Sequence, residues 1–173
     1  DGGAASGKSS TSRILSERLN FLYVNTGSHY RSLTWALLNE GLTAEDETEV
    51  VNFLQTILVG VQIDGREAKI TLESQILGKE IRSEPVNQAV SLFAALPAVR
   101  QFLLNHQRAY QDLAKIKGFA GLIMEGRDIG SVIFPEADFR FFMFADEADR
   151  TRRRALEGQV DSIKTRDQLD KQR

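Results

Sequence analysis

The chain opens with a spacing of small residues and one lysine that constrains its fold more than any other feature. Gly2 and Gly7 stand five positions apart, and Lys8 and Ser9 follow directly, which gives the pattern GxxxxGK(S/T). Small residues allow successive backbone N–H groups to turn inward onto an anion, and the lysine adds a positive charge. The pattern predicts a loop that binds nucleotide phosphates, within an α/β fold.

We predict that this loop contacts the phosphates of ATP and that the hydroxyl of Ser9 is a ligand of Mg²⁺. A helix from Ser9 to about Leu19 is predicted next, because apolar residues recur there at helical spacing, and its N-terminal dipole favours an anion. Since such a loop normally follows a buried strand, we expect a strand to precede Asp1. The predicted phosphate-binding residues are Gly2, Gly3, Ala4, Ala5, Ser6, Gly7, Lys8, Ser9 and Ser10.

Composition favours one compact domain that acts on small molecules. The 173 residues suit a single α/β domain, and the absence of cysteine excludes disulfides and thiolate metal sites, which indicates a reducing cytoplasm. No apolar run approaches the ~18 residues of a membrane span. The net charge of −2 argues against a general nucleic-acid binder, whereas eight Lys/Arg against four Asp/Glu between Arg150 and Arg173 suit a small polyanion. We expect a monomer with no nucleic-acid or membrane partner.

Strand and helix patterns alternate along the chain, which predicts a parallel sheet with flanking helices. Apolar runs at 21–24, 121–124 and 138–144 predict buried strands, and periodic segments at 28–40 and 98–115 predict helices. Three β-rich runs between 59 and 77 predict a small antiparallel meander outside the parallel sheet. Trp35 and the phenylalanines of 139–144 are expected in the core.

Charged residues follow the strand predicted at 121–124. Arg127 and Asp128 come just after it, and ligands of parallel sheets bind beyond the carboxyl ends of the strands. We therefore favour a substrate site for this pair over a simple ion pair in a turn. Arg31 lies in the first turn of its helix, where a cation opposes the helix dipole, so it either faces an anion or is an ordinary solvated arginine.

A cluster of arginines follows on the helix predicted at 147–156. Such a cluster is either a solvated face or a lid that brings positive charge to bound phosphates, and the phosphate loop favours the lid. Its members are Arg150, Arg152, Arg153 and Arg154. Near the end of the chain, Arg166, Asp170 and Arg173 share one helical face.

Several separated motifs together resemble the bacterial cytidylate kinases. TGxxYR at Thr26 to Arg31 and the GRD of Gly126 to Asp128 are more specific than the phosphate loop alone. The remaining matches are the β insertion, Ser91, Leu96 to Arg100, and the set Arg166, Asp170 and Arg173. The resemblance covers nearly the whole chain.

This resemblance implies a nucleoside monophosphate kinase fold and a reaction. The fold would be one kinase domain, 1–173, with a parallel core sheet, a monophosphate-binding arm at about 26–100 that carries the insertion at 59–77, and a lid at about 147–165. The reaction would transfer the γ-phosphoryl group of ATP, with Mg²⁺, to CMP or dCMP in pyrimidine nucleotide metabolism. Because uracil reverses the donor and acceptor groups that cytosine presents, a preference for cytosine is implied.

The resemblance also implies roles for individual residues. The clamp on the CMP phosphate would be Arg31, Arg127 and Arg173. The readers of the cytosine edge would be Ser91, Arg100 and Asp128. The contacts around the sugar would be Thr26, Arg166 and Asp170, with Tyr30 in the same substrate set. The residues that stabilise the transferred phosphoryl group would be Lys8, Arg127, Arg153 and Arg154.

The chain departs from the family pattern at a few positions. Gly3 stands where proline is usual and Ala5 where glycine is frequent. The lid is short around Gly158, and the family continues beyond Arg173, so we expect that residues are absent there and at both ends. Two alternatives stay open: a P-loop kinase for UMP, dTMP, AMP or shikimate, and a nucleotide-binding switch protein, although no NKxD-like guanine reader is present.

Overall fold

Alternating apolar strands and amphipathic helices build a mixed sheet with helices packed around it. A computed structural model describes residues 1–156, with Arg154 described by its backbone alone. The helices are α1 (Lys8–Leu19), α2 (Thr26–Asn39), α3 (Glu47–Thr56), α4 (Glu84–Phe93), α5 (Pro97–Ile116) and α6 (Glu147–Leu156). The strands are β1 (Phe21–Asn25), β2 (Val59–Asp64), β3 (Glu67–Leu72) and β4 (Gly121–Glu125). A 3₁₀ turn at Lys79–Arg82 and a π-helical turn at Ile129–Ile133 complete the described elements.

The helices begin where the local chemistry favours a start. Gly7 precedes α1 with φ 94°, a left-handed conformation that glycine adopts without strain. Asn25 caps α2, and its side chain accepts a hydrogen bond from the backbone N–H of Ser28 at 3.2 Å. Prolines lie in the first turns of α4 and α5, where their missing N–H costs no helical hydrogen bond.

The sheet has the strand order β2-β3-β1-β4. Strands β1 and β4 run parallel over five residue pairs, from Phe21↔Gly121 to Asn25↔Glu125. Because both strands end at the same level, the start of α2 lies beside the chain that follows β4. The predicted parallel sheet with flanking helices and an antiparallel pair is confirmed.

The predicted placement of the 59–77 insertion outside the parallel sheet is wrong. Strands β2 and β3 form an antiparallel hairpin, but β3 also pairs in parallel with β1 through Tyr23↔Glu67 and Val24↔Ala68. The third predicted run of the meander is not a strand. Glu73 and Ser74 both have positive φ, so the chain turns back on itself after β3.

The strand and core positions predicted at 138–144 are also wrong. This segment makes only an isolated bridge between Gly2 and Met143, and its phenylalanines are exposed, Phe139 by 80 %. Among the described residues, only the backbone of Asp1 and Gly2 pairs with it, so no sheet covers its alternating aromatic side chains. Trp35, by contrast, is partly buried against the main core.

Two apolar clusters hold the described elements together. The larger lies between β3 and helices α2, α3, α4 and α5, and its most deeply buried members include Leu33, Leu37, Phe93 and Leu103. The smaller packs α5 against the sheet through Leu22, Val24, Ala68, Tyr110 and Ala114. Within residues 1–156, no helix combines the length and apolarity that crossing a membrane requires.

Candidate active site

A large cavity lies at the carboxyl ends of β1 and β4. Its volume is about 1160 Å³, and it is lined by the phosphate loop, the start of α2, the 3₁₀ turn, α4, the chain after β4, and α6. Six Lys/Arg against two Asp/Glu line it among the described residues. These cations are Lys8, Arg13, Arg31, Arg82, Arg127 and Arg153. A smaller depression of about 230 Å³ between α3 and α5 has only apolar and amide side chains, so the large cavity is the better candidate for binding anions.

The phosphate loop is wrapped around its own lysine. Lys8 Nζ donates to the carbonyl oxygens of Gly2 at 2.7 Å and Gly3 at 2.6 Å. Gly2 has φ 148°, and a Cβ there would collide with the carbonyl oxygen of Met143, so only glycine fits at this close approach. The loop therefore holds the ammonium group of Lys8 at the edge of the cavity.

Helix α6 brings some of the predicted lid arginines to the loop. Arg153 Nη1 donates to the carbonyl of Ala5 at 3.2 Å, and the buried Arg150 donates to that of Ala4 at 3.5 Å. Arg152 instead pairs with Asp149 at 2.8 Å, with 72 % of its side chain exposed. The spacing of three residues places Arg150 and Arg153 on the helix face toward the loop, and Arg152 lies off that face.

Arg31 is not a solvated surface arginine. Its Nη1 donates to the carbonyl of Ile81 at 2.9 Å and to Oδ1 of Asn87 at 2.7 Å, and the residue lines the cavity. Arg31 therefore lies at the cavity and not in bulk solvent, and its role toward an anion stays a prediction.

Two of the three predicted cytosine readers, Arg100 and Asp128, come from separate elements and are hydrogen-bonded to each other. Arg100 Nη2 donates to Oδ2 of Asp128 at 2.5 Å, and each side chain remains about a quarter exposed. Arg100 comes from the first turn of α5, and Asp128 follows β4. Asp128, Arg127 and Ser91 line the large cavity, and Arg100 is connected to it through Asp128. Four residues predicted to bind substrate therefore lie at one end of the sheet.

Two further predicted substrate residues line the cavity from the start of α2. Thr26 is 3 % exposed, and its hydroxyl donates to the carbonyl of Glu125 at 2.9 Å, which ties α2 to the end of β4. Tyr30 lines the cavity and also packs against the main core. The sugar-contacting role of Thr26 stays a prediction. Arg166, Asp170 and Arg173, and the part of the predicted lid beyond 156, lie outside the described residues.

Sequence reasoning missed a buried carboxylate beside the phosphate loop. Glu125 is 4 % exposed, and it accepts a hydrogen bond from the hydroxyl of Tyr23, beside which the side chain of Ser9 lies. Burial is the main cause that raises the pKa of Tyr23, and the Glu125 carboxylate raises it further. The guanidinium carbon of Arg13 lies 5.0 Å from the centre of the Tyr23 ring. The polar residue at the end of an apolar strand was the signal that could have indicated Glu125.

Asp1 is a second missed residue. Its carboxylate accepts hydrogen bonds from the backbone N–H groups of Ile129 and Gly130, both at 2.9 Å. The Asp1 carboxylate therefore ties the start of the phosphate loop to the segment that follows Asp128.

The oxygen donors near the loop fit a divalent cation of the magnesium type. Ser9 and Glu125 both reach the hydroxyl of Tyr23, and both line the cavity. Within the described part of the chain no group of three or more His, Cys, Asp or Glu could hold a metal. Mg²⁺ commonly binds through one or two protein oxygens together with substrate phosphates, which this donor set allows.

Comparison with known proteins agrees with the motifs that shape this cavity. The family model described as cytidylate kinase matches residues 1–173. A cytidylate kinase from Chlorobaculum tepidum is 38% identical, over 100% of this chain and 77% of the relative. Cytidylate kinases from Limosilactobacillus reuteri and Clostridioides difficile are each 34% identical, over 95% and 100% of this chain and 70% and 81% of the relatives. A match of this extent, on a chain with this loop and this sheet, means that the chain belongs to the cytidylate kinase family of phosphotransferases.

Proposed function

We propose that this chain transfers the γ-phosphoryl group of ATP, in the presence of Mg²⁺, to the phosphate of CMP or dCMP. The observation that carries the proposal is that the phosphate loop and Asp128, which accepts a hydrogen bond from Arg100, line one cavity at the end of the sheet. The cavity volume of about 1160 Å³ exceeds the roughly 300–1,000 Å³ of a pocket for one drug-sized ligand, which suits two nucleotides.

The phosphate loop is the donor side of the site. Its backbone N–H groups, together with the N-terminus of α1, favour the oxygens of a triphosphate. Lys8 Nζ donates hydrogen bonds to two loop carbonyls. When a nucleotide binds, this ammonium group replaces a hydrogen bond to a loop carbonyl by one to a phosphate oxygen. Hydrogen bonds between charged groups are stronger than those to a neutral carbonyl.

The residues suited to Mg²⁺ are Ser9 and Glu125. When bound, Mg²⁺ neutralises charge on the phosphate oxygens and orients the transferred group. Tyr23 donates to Glu125, so this carboxylate already has a fixed orientation beside the loop. Ser9 presents its hydroxyl from the first turn of α1.

Arginines form the acceptor-phosphate side of the site. Arg31 and Arg127 line the cavity from α2 and from the chain after β4. A guanidinium presents planar pairs of N–H donors that match phosphate oxygens, which makes these residues the clamp on the CMP phosphate. Arg173 is proposed to join them.

The Arg100–Asp128 pair is the cytosine reader. The Asp128 carboxylate accepts from the 4-amino group of cytosine, and the guanidinium of Arg100 donates to an acceptor on the same edge. Uracil would place its carbonyl against the carboxylate, and leaving such groups unpaired costs roughly 1–3 kcal/mol each. Ser91 is proposed as a further contact to the base. Thr26, at the start of α2, is proposed to contact the sugar, and Tyr30 belongs to the same substrate set.

Transfer itself depends on positioning and positive charge more than on a dedicated base. Lys8, Arg127 and Arg153 line one cavity and are proposed to stabilise the migrating phosphoryl group. Arg154 is proposed as a further member, and α6 as the described part of a lid that excludes water.

The proposal is tested by measuring ADP release with ATP, Mg²⁺ and one acceptor at a time. The acceptors are CMP, dCMP, UMP, dTMP, AMP and shikimate. Selective turnover of CMP and dCMP supports the proposal, and selective turnover of another acceptor contradicts the roles given to Arg100 and Asp128. ATP binding without turnover of any acceptor would favour a nucleotide-binding switch instead.

A further inference from the structure

Asn87 is a buried polar residue of α4 that no motif explains. Only 7 % of it is exposed, and it does not line the cavity. Its Oδ1 nevertheless accepts a hydrogen bond from Arg31 Nη1 at 2.7 Å, across a sequence separation of 56 residues. Helices α2 and α4 are therefore joined by a polar contact directly behind an arginine of the site.

The orientation of this amide is fixed from both ends. Asn87 Nδ2 donates to the carbonyl of Arg82 at 3.1 Å, while Oδ1 faces the guanidinium donor of Arg31. An asparagine side chain has one acceptor oxygen and one donor nitrogen, so these two neighbours specify its orientation. The backbone N–H of Asn87 also donates to Ser83 at 2.9 Å, which anchors the residue in the first turns of α4.

Arg31 is held at a single nitrogen by two acceptors. The carbonyl of Ile81, at 2.9 Å, and the amide of Asn87 both accept from Nη1. A planar guanidinium whose nitrogen is fixed in this way can rotate less. The side chain therefore loses less conformational entropy when it binds an anion.

We propose that Asn87 is a positioning residue that orients Arg31 toward the phosphate of the acceptor nucleotide. The inference rests on the proposed function, because it takes the anion at Arg31 to be the phosphate of CMP. Asn87 acts through Arg31 and does not touch the substrate.

Two substitutions separate orientation from charge. Asn87→Leu keeps the approximate volume and removes the acceptor, so Arg31 loses one of the two bonds at Nη1. Asn87→Asp keeps the acceptor but adds a negative charge, which competes with phosphate for the guanidinium and faces the carbonyl of Arg82. Both variants should weaken phosphate recognition, for different reasons.

The experiment compares the binding of CMP with that of cytidine, which lacks the phosphate. Dissociation constants are measured by calorimetry on the full chain and on each variant, with ATP binding measured separately. We expect Asn87→Leu to weaken CMP binding about tenfold or more, as for loss of a hydrogen bond to a charged group. Cytidine and ATP binding should stay within about twofold, because neither uses Arg31 in the proposed site.

The matched control is Gln88→Leu, an amide-to-leucine change at the next position of the same helix, where the side chain is exposed and bonded to Glu84 at 2.8 Å. It should leave CMP, cytidine and ATP binding unchanged. Equal weakening of CMP and cytidine by Asn87→Leu would overturn the proposal, because it would indicate general damage to the site. Unchanged CMP binding in both Asn87 variants would overturn it as well.

A double-mutant comparison distinguishes the failure of this inference from the failure of the proposed function. If Arg31→Ala alone leaves CMP binding unchanged, the proposed role of Arg31 fails, and the Asn87 proposal fails with it. If Arg31→Ala weakens CMP binding but Asn87→Leu does not, only the Asn87 proposal fails. The expected result is that Asn87→Leu has an effect in the native chain and almost none in the Arg31→Ala chain.

Discussion

Arg100 and Asp128 come from positions 28 residues apart and meet at 2.5 Å. Arg100 belongs to the first turn of α5 and Asp128 to the chain after β4, so the register of β4 in the sheet determines whether they meet. Each residue is about a quarter exposed, so the pair is supported by its neighbours and still accessible to a ligand. We interpret the contact as a preformed donor and acceptor for a base edge.

Asp128→Asn should reduce discrimination between CMP and UMP. The variant amide can present a donor to the uracil carbonyl, and it no longer offers a carboxylate to the cytosine amine. We expect kcat/KM for CMP to fall about tenfold to a hundredfold, while kcat/KM for UMP falls less. Steady-state kinetics with both acceptors measures the ratio. Asp138→Asn removes the same charge from an exposed residue outside the cavity lining and should leave the ratio unchanged.

Lys8→Met should abolish most turnover with little change in fold stability. The substitution keeps much of the side-chain length and removes the ammonium group that now bonds the carbonyls of Gly2 and Gly3. Loss of one charged donor to a transition state lowers kcat by about 10²–10³. Lys115→Met is the control, because Lys115 is exposed and 3.6 Å from Asp112 on the surface of α5. Equal kcat for the two variants would contradict the role of Lys8.

Tyr23→Phe should weaken both folding and the response to Mg²⁺. The substitution removes the hydroxyl that donates to the buried Glu125, and a buried acceptor that loses its donor costs about 1–3 kcal/mol. We expect the Mg²⁺ concentration for half-maximal nucleotide binding to rise several-fold. Denaturant unfolding and a Mg²⁺ titration of nucleotide binding measure the two effects.

Tyr110→Phe is the matched control for Tyr23→Phe. Tyr110 is also buried, and burial likewise raises its pKa. Its hydroxyl, however, lies 3.4 Å from the ring nitrogen of His29, and no carboxylate among residues 1–156 is hydrogen-bonded to it. It should leave the Mg²⁺ response unchanged. If both variants change that response equally, Glu125 does not act in metal binding.

His29 should make the protein less stable in mild acid. The ring is fully buried against Tyr110, with centroids 5.3 Å apart, and burial lowers its pKa from 6.5 to about 3. Because the unfolded chain binds the proton more readily, stability is full above pH 6.5 and falls as the pH drops toward 3. The loss at pH 5.5 from this residue is on the order of 1 kcal/mol.

The test for His29 is denaturant unfolding of the native chain and of His29→Phe at pH 8 and at pH 5.5. The variant keeps an aromatic ring against Tyr110 and should lose most of this pH dependence. His106→Phe is the comparison, because His106 is only partly buried and its pKa is also lowered by burial. A larger effect from His106 than from His29 would contradict the assignment.

Local sequence patterns predict which segments form helices and strands better than they predict which of these elements pack or pair with one another. The helix expected at 28–40 is α2 at Thr26–Asn39, because its apolar spacing and the cap at Asn25 are local features. The pairing of β3 with β1 joins segments that are distant in sequence, and the hairpin pattern predicted within 59–77 does not indicate it. The phenylalanines of 139–144 were misplaced because alternation predicts a covered strand only where a neighbouring strand is available.

Local motifs indicate charged residues that lie at or beside the cavity, whereas the residues that hydrogen-bond to them are not indicated by any local pattern. Arg31, Arg100 and Asp128 stand in recognisable patterns of sequence. Tyr23 lies in an apolar strand, so its sequence context predicts a core residue. The register Asn25↔Glu125 places it diagonally from Glu125 on the same face of the sheet. The contact of Asn87 with Arg31 depends on how α4 packs against α2, and the periodicity of apolar residues alone does not determine that packing.

The most direct test of the central claim follows the γ-phosphoryl group itself. ATP labelled at the γ-phosphate is mixed with the full chain, Mg²⁺ and CMP, and the label is followed in a single turnover. We predict that the label appears in CDP, and that Asp128→Asn and Lys8→Met each slow its appearance. Label found only in inorganic phosphate or on the protein would contradict the account, because the loop and the Arg100–Asp128 pair would then not serve one transfer reaction.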